Sequence, residues 1–184
     1  QCRHLDPIFC RSHPLDFAEV ASMGMELLGQ PYLEEFYPKA EADRARADHL
    51  EGLLSTYPWV ATIDAFQHWA YTDPDHSRTD RKNAWLDLRR RLGGGDDWTG
   101  YEAELASNWH RQLHLFTVPF YYIEYGIAQT GALQVWRNAK KDRRRAISRY
   151  RAGEALGWTR PLPGLFAAAG LRFDFGERTI GPLI

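Results

Sequence analysis

Three groups of side chains in this sequence have the types and spacing to do chemistry. In PLDFAEVASMGMELL, Glu19 and Glu26 stand seven residues apart, two turns along one helix face, with Met23 between them. Two carboxylates on one face can hold a metal ion; equally, Glu19 closes an Asp16-Phe17-Ala18-Glu19 capping box and bonds the start of its own helix. In WHRQLH, His110 and His114 stand at i and i+4, the spacing of paired zinc ligands on a helix. A zincin helix, however, carries a glutamate general base directly after its first histidine, and this chain has Arg111 there, a cation that repels a metal. Core or capping histidines fit that segment better. In PFYYIEYGIAQTGALQVW, Tyr122 and Tyr125 stand at i and i+3, Tyr121 and Tyr125 at i and i+4. Tyrosines at that spacing line a core; beside His114 they can also donate hydrogen bonds to a carbonyl oxygen acquiring negative charge, as in an oxyanion hole.

The elements that must position these groups are helices. Breakers divide the chain into helical stretches, and no β-branched alternation is long enough for a sheet, which predicts an all-α fold in one multi-helix domain over residues 1–184. The first helix is expected to start at the Asp16 capping box and run to Gly29, ended by Pro31. A charged helix follows from Ala40 to Thr56, then one from Pro58 to Tyr71. Arg78 to Leu92 is a further helix stopped by Gly93-Gly94-Gly95, and Thr99 to His110 another. A long helix begins near Pro119, with Gly126, Ala128, Gly131 and Ala132 offering a flat side for close packing. Lys140 to Leu156 is strongly basic, and Pro161 to Ala169 is a last short helix before the Leu171 to Phe175 tail. No internal repeat appears.

Charge excludes several partners. Lys+Arg (23) and Asp+Glu (24) nearly cancel, so no overall field exists to hold nucleic acid or an anionic membrane. The KKDRRR run from Lys140 to Arg145 reads as a solvated helix face. No apolar run approaches a membrane span, and the opening QCRHLDPIFC is not a secretory signal. Cys2 and Cys10 make no disulfide framework, which suits a reducing, cytoplasmic setting. Gln1 in place of Met points to a truncated or cleaved beginning. His49, His68 and His76 have no paired ligand spacing, and the seven tryptophans are too scattered for one stacking platform, so they read as core anchors.

PLDFAEVASMGMELL and LHLFTVPFYYIEYGIAQTGALQVW resemble, in order and separation, two signature segments of the M3 metallopeptidases, the thimet oligopeptidase and oligoendopeptidase F group. The similarity runs from RHLDPIF to the GLRFDFG tail, so the chain resembles the C-terminal third of such an enzyme. The resemblance implies a zinc oligopeptidase that hydrolyses internal bonds of short peptides. A His-Glu-x-x-His helix in that family gives two zinc ligands and the general base, and a Glu in a D-F-x-E segment gives the third ligand, which matches Glu19. Glu26 resembles a supporting acid that orients a metal-binding histidine. His114, Tyr122 and Tyr125 match the residues that bind substrate and stabilise the tetrahedral intermediate, with Tyr121 able to take the place given to Tyr122.

No His-Glu-x-x-His occurs in these residues. The family places it upstream of the position where Gln1 stands, so the resemblance implies that this chain alone is inactive and that a missing N-terminal segment is its partner. The rival expectation is a truncated helical module kept for binding, whose exposed faces favour a homodimer.

Overall fold

The computed structural model describes residues 2–93 and 95–183; Gln1 and Gly94, with the readings placed on them, lie outside the described residues. Among those residues there is no strand, so the fold is all-α as expected. No helix among them is long and apolar enough to cross a membrane. The chain divides into two compact units, residues 1–49 with 127–184, and residues 50–126.

The helices are α1 (Leu15–Gly29), α2 (Lys39–Thr72), α3 (Arg78–Leu92), α4 (Glu102–Ser107), α5 (His114–Thr117), α6 (Ile123–Lys141), α7 (Arg143–Glu154), α8 (Leu162–Ala168) and α9 (Glu177–Ile180). Several boundaries differ from the sequence expectation. No capping box opens α1: Pro14 is the N-cap, its carbonyl accepts from Phe17 and Ala18 N–H at 2.9 Å each, and Asp16 lies inside the first turn. Burial there pushes the Asp16 carboxyl above its usual range. The two helices expected on either side of Pro58 are one, α2, with Pro58 inside. A proline there forfeits one helix bond. Hydroxyls around it bond back to helix carbonyls, Ser55 to Glu51 at 2.7 Å, Thr56 to Gly52 at 2.9 Å and Thr62 to Pro58 at 2.7 Å.

The expected Thr99–His110 helix is shorter, because Asp97 accepts from Thr99 N–H at 2.9 Å and Gly100 takes a φ of 84°, so helix begins only at Glu102. The long helix begins at Ile123 rather than Pro119. Phe120 has a φ of 62°, the left-handed region, and its N–H donates to Gln67 Oε1 at 2.9 Å. The basic stretch is split at Asp142, whose carboxylate caps α7 by accepting from Arg145 N–H at 3.0 Å. KKDRRR is exposed throughout, as expected, and two of its cations also make contacts: Lys140 Nζ lies 3.6 Å from the Trp136 ring centroid, and Arg143 donates to the Leu28 carbonyl near the end of α1.

In the first unit α1 turns Phe17, Val20 and Leu28 into a core shared with Ala128 and Val135 of α6, Tyr150 of α7 and Leu165 and Phe166 of α8. Phe17 and Phe166 meet with ring centroids 5.7 Å apart. The tail is tied to α6 by an amide pair, Arg172 N–H to Gln134 Oε1 at 2.8 Å and Gln134 Nε2 to Arg172 O at 3.0 Å. In the second unit Ile63 and Phe66 of α2 pack on Trp85 and Leu88 of α3 and Leu115 of α5. Trp85 is fully buried and donates Nε1–H to the Leu105 carbonyl at 2.7 Å, which anchors α4. Trp158, by contrast, is 52% exposed and anchors no core.

Close packing of α6 is sharpest at Gly131, where an added Cβ would lie 2.7 Å from Val20 Cγ2 and 3.2 Å from the Phe166 ring, whereas one at buried Gly24 of α1 meets nothing within 4 Å. Gly131→Ala is therefore expected to destabilise by about 1–3 kcal/mol of overpacking less ~1 kcal/mol of helix propensity. Gly24→Ala should stabilise by up to ~1 kcal/mol, both read from urea unfolding.

Glu154, buried at the end of α7, has His13 Nε2 at 3.4 Å from its Oε2, and burial pushes its carboxyl above the usual range. The folded chain holds that proton more tightly than the unfolded chain. Stability is thus fully present below the ordinary carboxylate pKa and lost as pH rises through the raised one. Glu154→Gln should raise the melting temperature at about pH 7 by a few degrees, and by less at about pH 4, in circular dichroism melts.

Candidate functional site

In the second unit the turn at Phe120 sets the site. By delaying helix α6 to Ile123, it leaves Tyr121 and Tyr122 on the turn before the helix and Tyr125 in its first turn. All three tyrosines then face one imidazole. The His114 ring centroid is 5.5 Å from that of Tyr121, 5.1 Å from Tyr122 and 5.8 Å from Tyr125. Tyr125 stacks edge-on with Tyr121 at 5.4 Å and with Tyr122 at 5.1 Å, and its hydroxyl is 3.4 Å from His114 Nε2.

His114 opens α5, and His110 lies in a separate 3-10 turn, Asn108–Arg111, with Gln112 at ψ 88° breaking the chain between them. The two histidines therefore do not share a helix, and the i, i+4 pairing does not form. Gln112, a residue that sequence reasoning passed over, does more. Its Oε1 accepts from Trp59 Nε1–H at 3.3 Å, and its Nε2 is 2.6 Å from His114 Nδ1. An indole N–H can only donate, so the amide must turn its oxygen to Trp59 and its NH₂ to the imidazole. His114 Nδ1 then accepts, and in the neutral ring the proton sits on Nε2, the nitrogen beside Tyr125.

Burial pushes the Tyr122 phenol above its usual pKa, against the opposing pull of the Trp59 N–H, which its oxygen shares with Gln112, so this hydroxyl stays a donor well beyond neutral pH. The site thus offers an imidazole N–H and phenol hydroxyls on one surface. Such a set can stabilise an oxygen that gains negative charge.

Glu19 and Glu26 lie on α1, in the other unit. Glu19 is half-buried and accepts from Ser22 Oγ at 2.9 Å through Oε2. It caps nothing, since α1 starts at Leu15. Glu26 Oε2 stands 3.4 Å from His49 Nε2, and Gln30 Nε2 is 2.9 Å from His49 Nδ1. Glu26 therefore faces a histidine of α2, twenty-three residues away, a pairing that no local spacing in the sequence signals. Among the described residues no group of three His, Cys, Asp or Glu side chains could hold a metal ion. Glu19 is suited to be one ligand of a zinc ion, but this donor set does not make a zinc site by itself.

Residues 3–172 match the model of peptidase family M3. No curated protein matches the chain. Among solved structures it is similar to PZ peptidase A with an inhibitor, at 30% identity and a TM-score of 0.90, over 98% of this chain and 33% of that one. A chain assigned as an oligoendopeptidase F is 33% identical with a TM-score of 0.86, over 99% of this chain and 32% of its own. Another so assigned, from Bacillus anthracis str. Ames, is 26% identical with a TM-score of 0.79, over 99% and 29%. This chain spans about a third of the length of the structures it matches.

The amide relay makes a spectroscopic prediction. Long-range 1H–15N correlation spectra should show neutral His114 as the Nε2–H tautomer, and Gln112→Ala should mix the tautomers; a native Nδ1–H form would contradict the relay.

Proposed function

This chain belongs to peptidase family M3, and from that premise we propose that it supplies one part of a zinc-dependent site that hydrolyses internal peptide bonds of short peptides. The observation that carries the proposal is the convergence of Tyr121, Tyr122 and Tyr125 on His114, with Tyr125 OH 3.4 Å from Nε2. In this reading a substrate carbonyl lies against that surface. His114 Nε2–H and the tyrosine hydroxyls bind its oxygen in the substrate and hold it more strongly as it becomes an oxyanion. Tyr125 is the principal phenol, since it is the one within reach of Nε2; Tyr122 is the second, its proton retained by burial, and Tyr121 completes the wall. Gln112 keeps the imidazole in the donor tautomer.

Glu19 is assigned as one carboxylate ligand of zinc and Glu26 as the acid that orients a neighbouring imidazole, a role supported by its position against His49. Zinc in such a site polarises a carbonyl and makes hydroxide available near neutral pH. A single carboxylate does not confer that chemistry. The site is therefore completed by a His-Glu-x-x-His helix that these residues do not contain, and the partner is the part of an M3 chain that this one does not span. The rival account is an inactive helical module that binds or self-associates.

Mixing supplies the test. Combined with the part of PZ peptidase A that it does not span, the chain is expected to cleave a quenched short peptide, while each piece alone is inactive. Tyr125→Phe should then lower kcat by about 10²–10³ with KM little changed, the magnitude of a lost oxyanion donor. A mixture that forms a complex but stays inactive would favour the binding module, and an active mixture whose Tyr125→Phe form keeps its kcat would remove Tyr125 from the oxyanion role.

A further inference from the structure

A cavity of about 540 Å³ opens in the same unit at the far end of the relay, beside Trp59. Its lining includes Trp59, Pro58, Trp98, Arg89, Arg111 and Asn108. The guanidinium carbons of Arg89 and Arg111 both lie close to the Trp59 ring, 5.4 Å and 6.0 Å from its centroid. Two cations beside one indole give this cavity a charged end and a flat apolar wall.

Its donors are only partly used. The Arg89 side chain is 11% exposed and meets Asp96 at 3.6 Å, a loose pairing with a carboxylate that is itself 68% exposed. Arg89 Nε and Trp98 Nε1 are both buried, and neither has an acceptor among the described residues. Arg111 is exposed and has no carboxylate within ion-pair distance among them. A buried N–H without an acceptor carries an uncompensated desolvation cost, which a bound oxygen recovers.

We infer that this cavity binds the carboxylate of a small, singly charged organic acid, with the carboxylate oxygens on the unused Arg89, Trp98 and Arg111 donors and an apolar body against Trp59 and Pro58. A carboxylate is acceptor-only and matches guanidinium geometry. Glu51 and Asp96 in the same lining offset the two arginines, and their repulsion weighs more heavily on a dianion such as phosphate than on a single carboxylate. The apolar wall excludes a bare inorganic ion as the best occupant. The free acid of an amino-acid derivative and the C-terminal residue of a peptide share this chemistry. The inference does not depend on peptidase activity, because the cavity and its donors lie within one unit.

Isothermal titration calorimetry of the 184-residue chain with N-acetyl-L-leucine, L-leucinamide, N-acetyl-alanyl-leucine and inorganic phosphate tests it. N-acetyl-L-leucine should bind at one site, with leucinamide and phosphate weaker by about tenfold or more. Tighter binding of the dipeptide derivative would identify a peptide end, and equal or weaker binding a free acid. Arg111→Gln, at an exposed position where folding is checked by circular dichroism, should weaken N-acetyl-L-leucine by about tenfold, Arg111→Lys should restore part of that loss, and Arg144→Gln should change nothing. Leucinamide or phosphate binding as tightly as N-acetyl-L-leucine, an Arg111→Gln chain of unchanged affinity, or no saturable heat up to about 20 mM acid would each overturn it. None of these outcomes bears on peptide cleavage.

Discussion

An indole N–H can donate and never accept, and the candidate site depends on that asymmetry. Trp59, fixed by its packing near Trp85, turns the Gln112 amide so that its NH₂ meets His114 Nδ1. The imidazole is thereby left with its proton on Nε2, beside the tyrosines, before any substrate arrives. Preorganised donors of this kind need no reorientation when charge develops on an oxygen. Around this relay the second unit is built from aromatic side chains: Phe66 lies 5.3 Å from Trp85 and 5.2 Å from Trp109, ring centroid to centroid. The fold therefore supplies rigidity where the chemistry needs a fixed donor.

The first unit has a different task, to hold one face of α1. Phe17, Val20 and Leu28 are drawn into a core with α6, α7 and α8, which leaves Glu19 half-buried and Glu26 on the solvent side beside His49. Small residues make the fit possible. Gly131 admits Val20 and Phe166, and a methyl group there would collide with both. The Glu19 carboxylate is therefore positioned by packing rather than by a cap.

Much of this was legible in the sequence for physical reasons. Apolar periodicity and breakers specify most of the helices, and His114, Tyr121, Tyr122 and Tyr125 fall within twelve residues, near enough for one cluster, although the turn at Phe120 that brings them together is held by Gln67, 53 residues away. What failed was equally physical. Asp16 and Glu19 have capping-box spacing, but Pro14 is the N-cap and Asp16 already lies inside the first turn, so the box does not form. Pro58 reads as a helix start; tertiary packing of Ile63 and Phe66 and three back-bonding hydroxyls carry the helix through it. Phe120 in the left-handed region is invisible in composition, since that region ordinarily favours glycine or asparagine. The Trp59–Gln112 and Glu26–His49 pairings span 53 and 23 residues, and single-sequence spacing does not reach so far.

The central claim is that Glu19 is a metal ligand in a site that this chain shares with the rest of an M3 peptidase. Zinc content tests it most directly in a chimera whose matching third of PZ peptidase A is replaced by these 184 residues, dialysed against graded chelator. The account predicts that the chimera keeps its zinc at chelator concentrations that strip the Glu19→Ala form, while Tyr125→Phe keeps it as well as the unsubstituted chimera does. Equal zinc retention with and without the Glu19 carboxylate would contradict it.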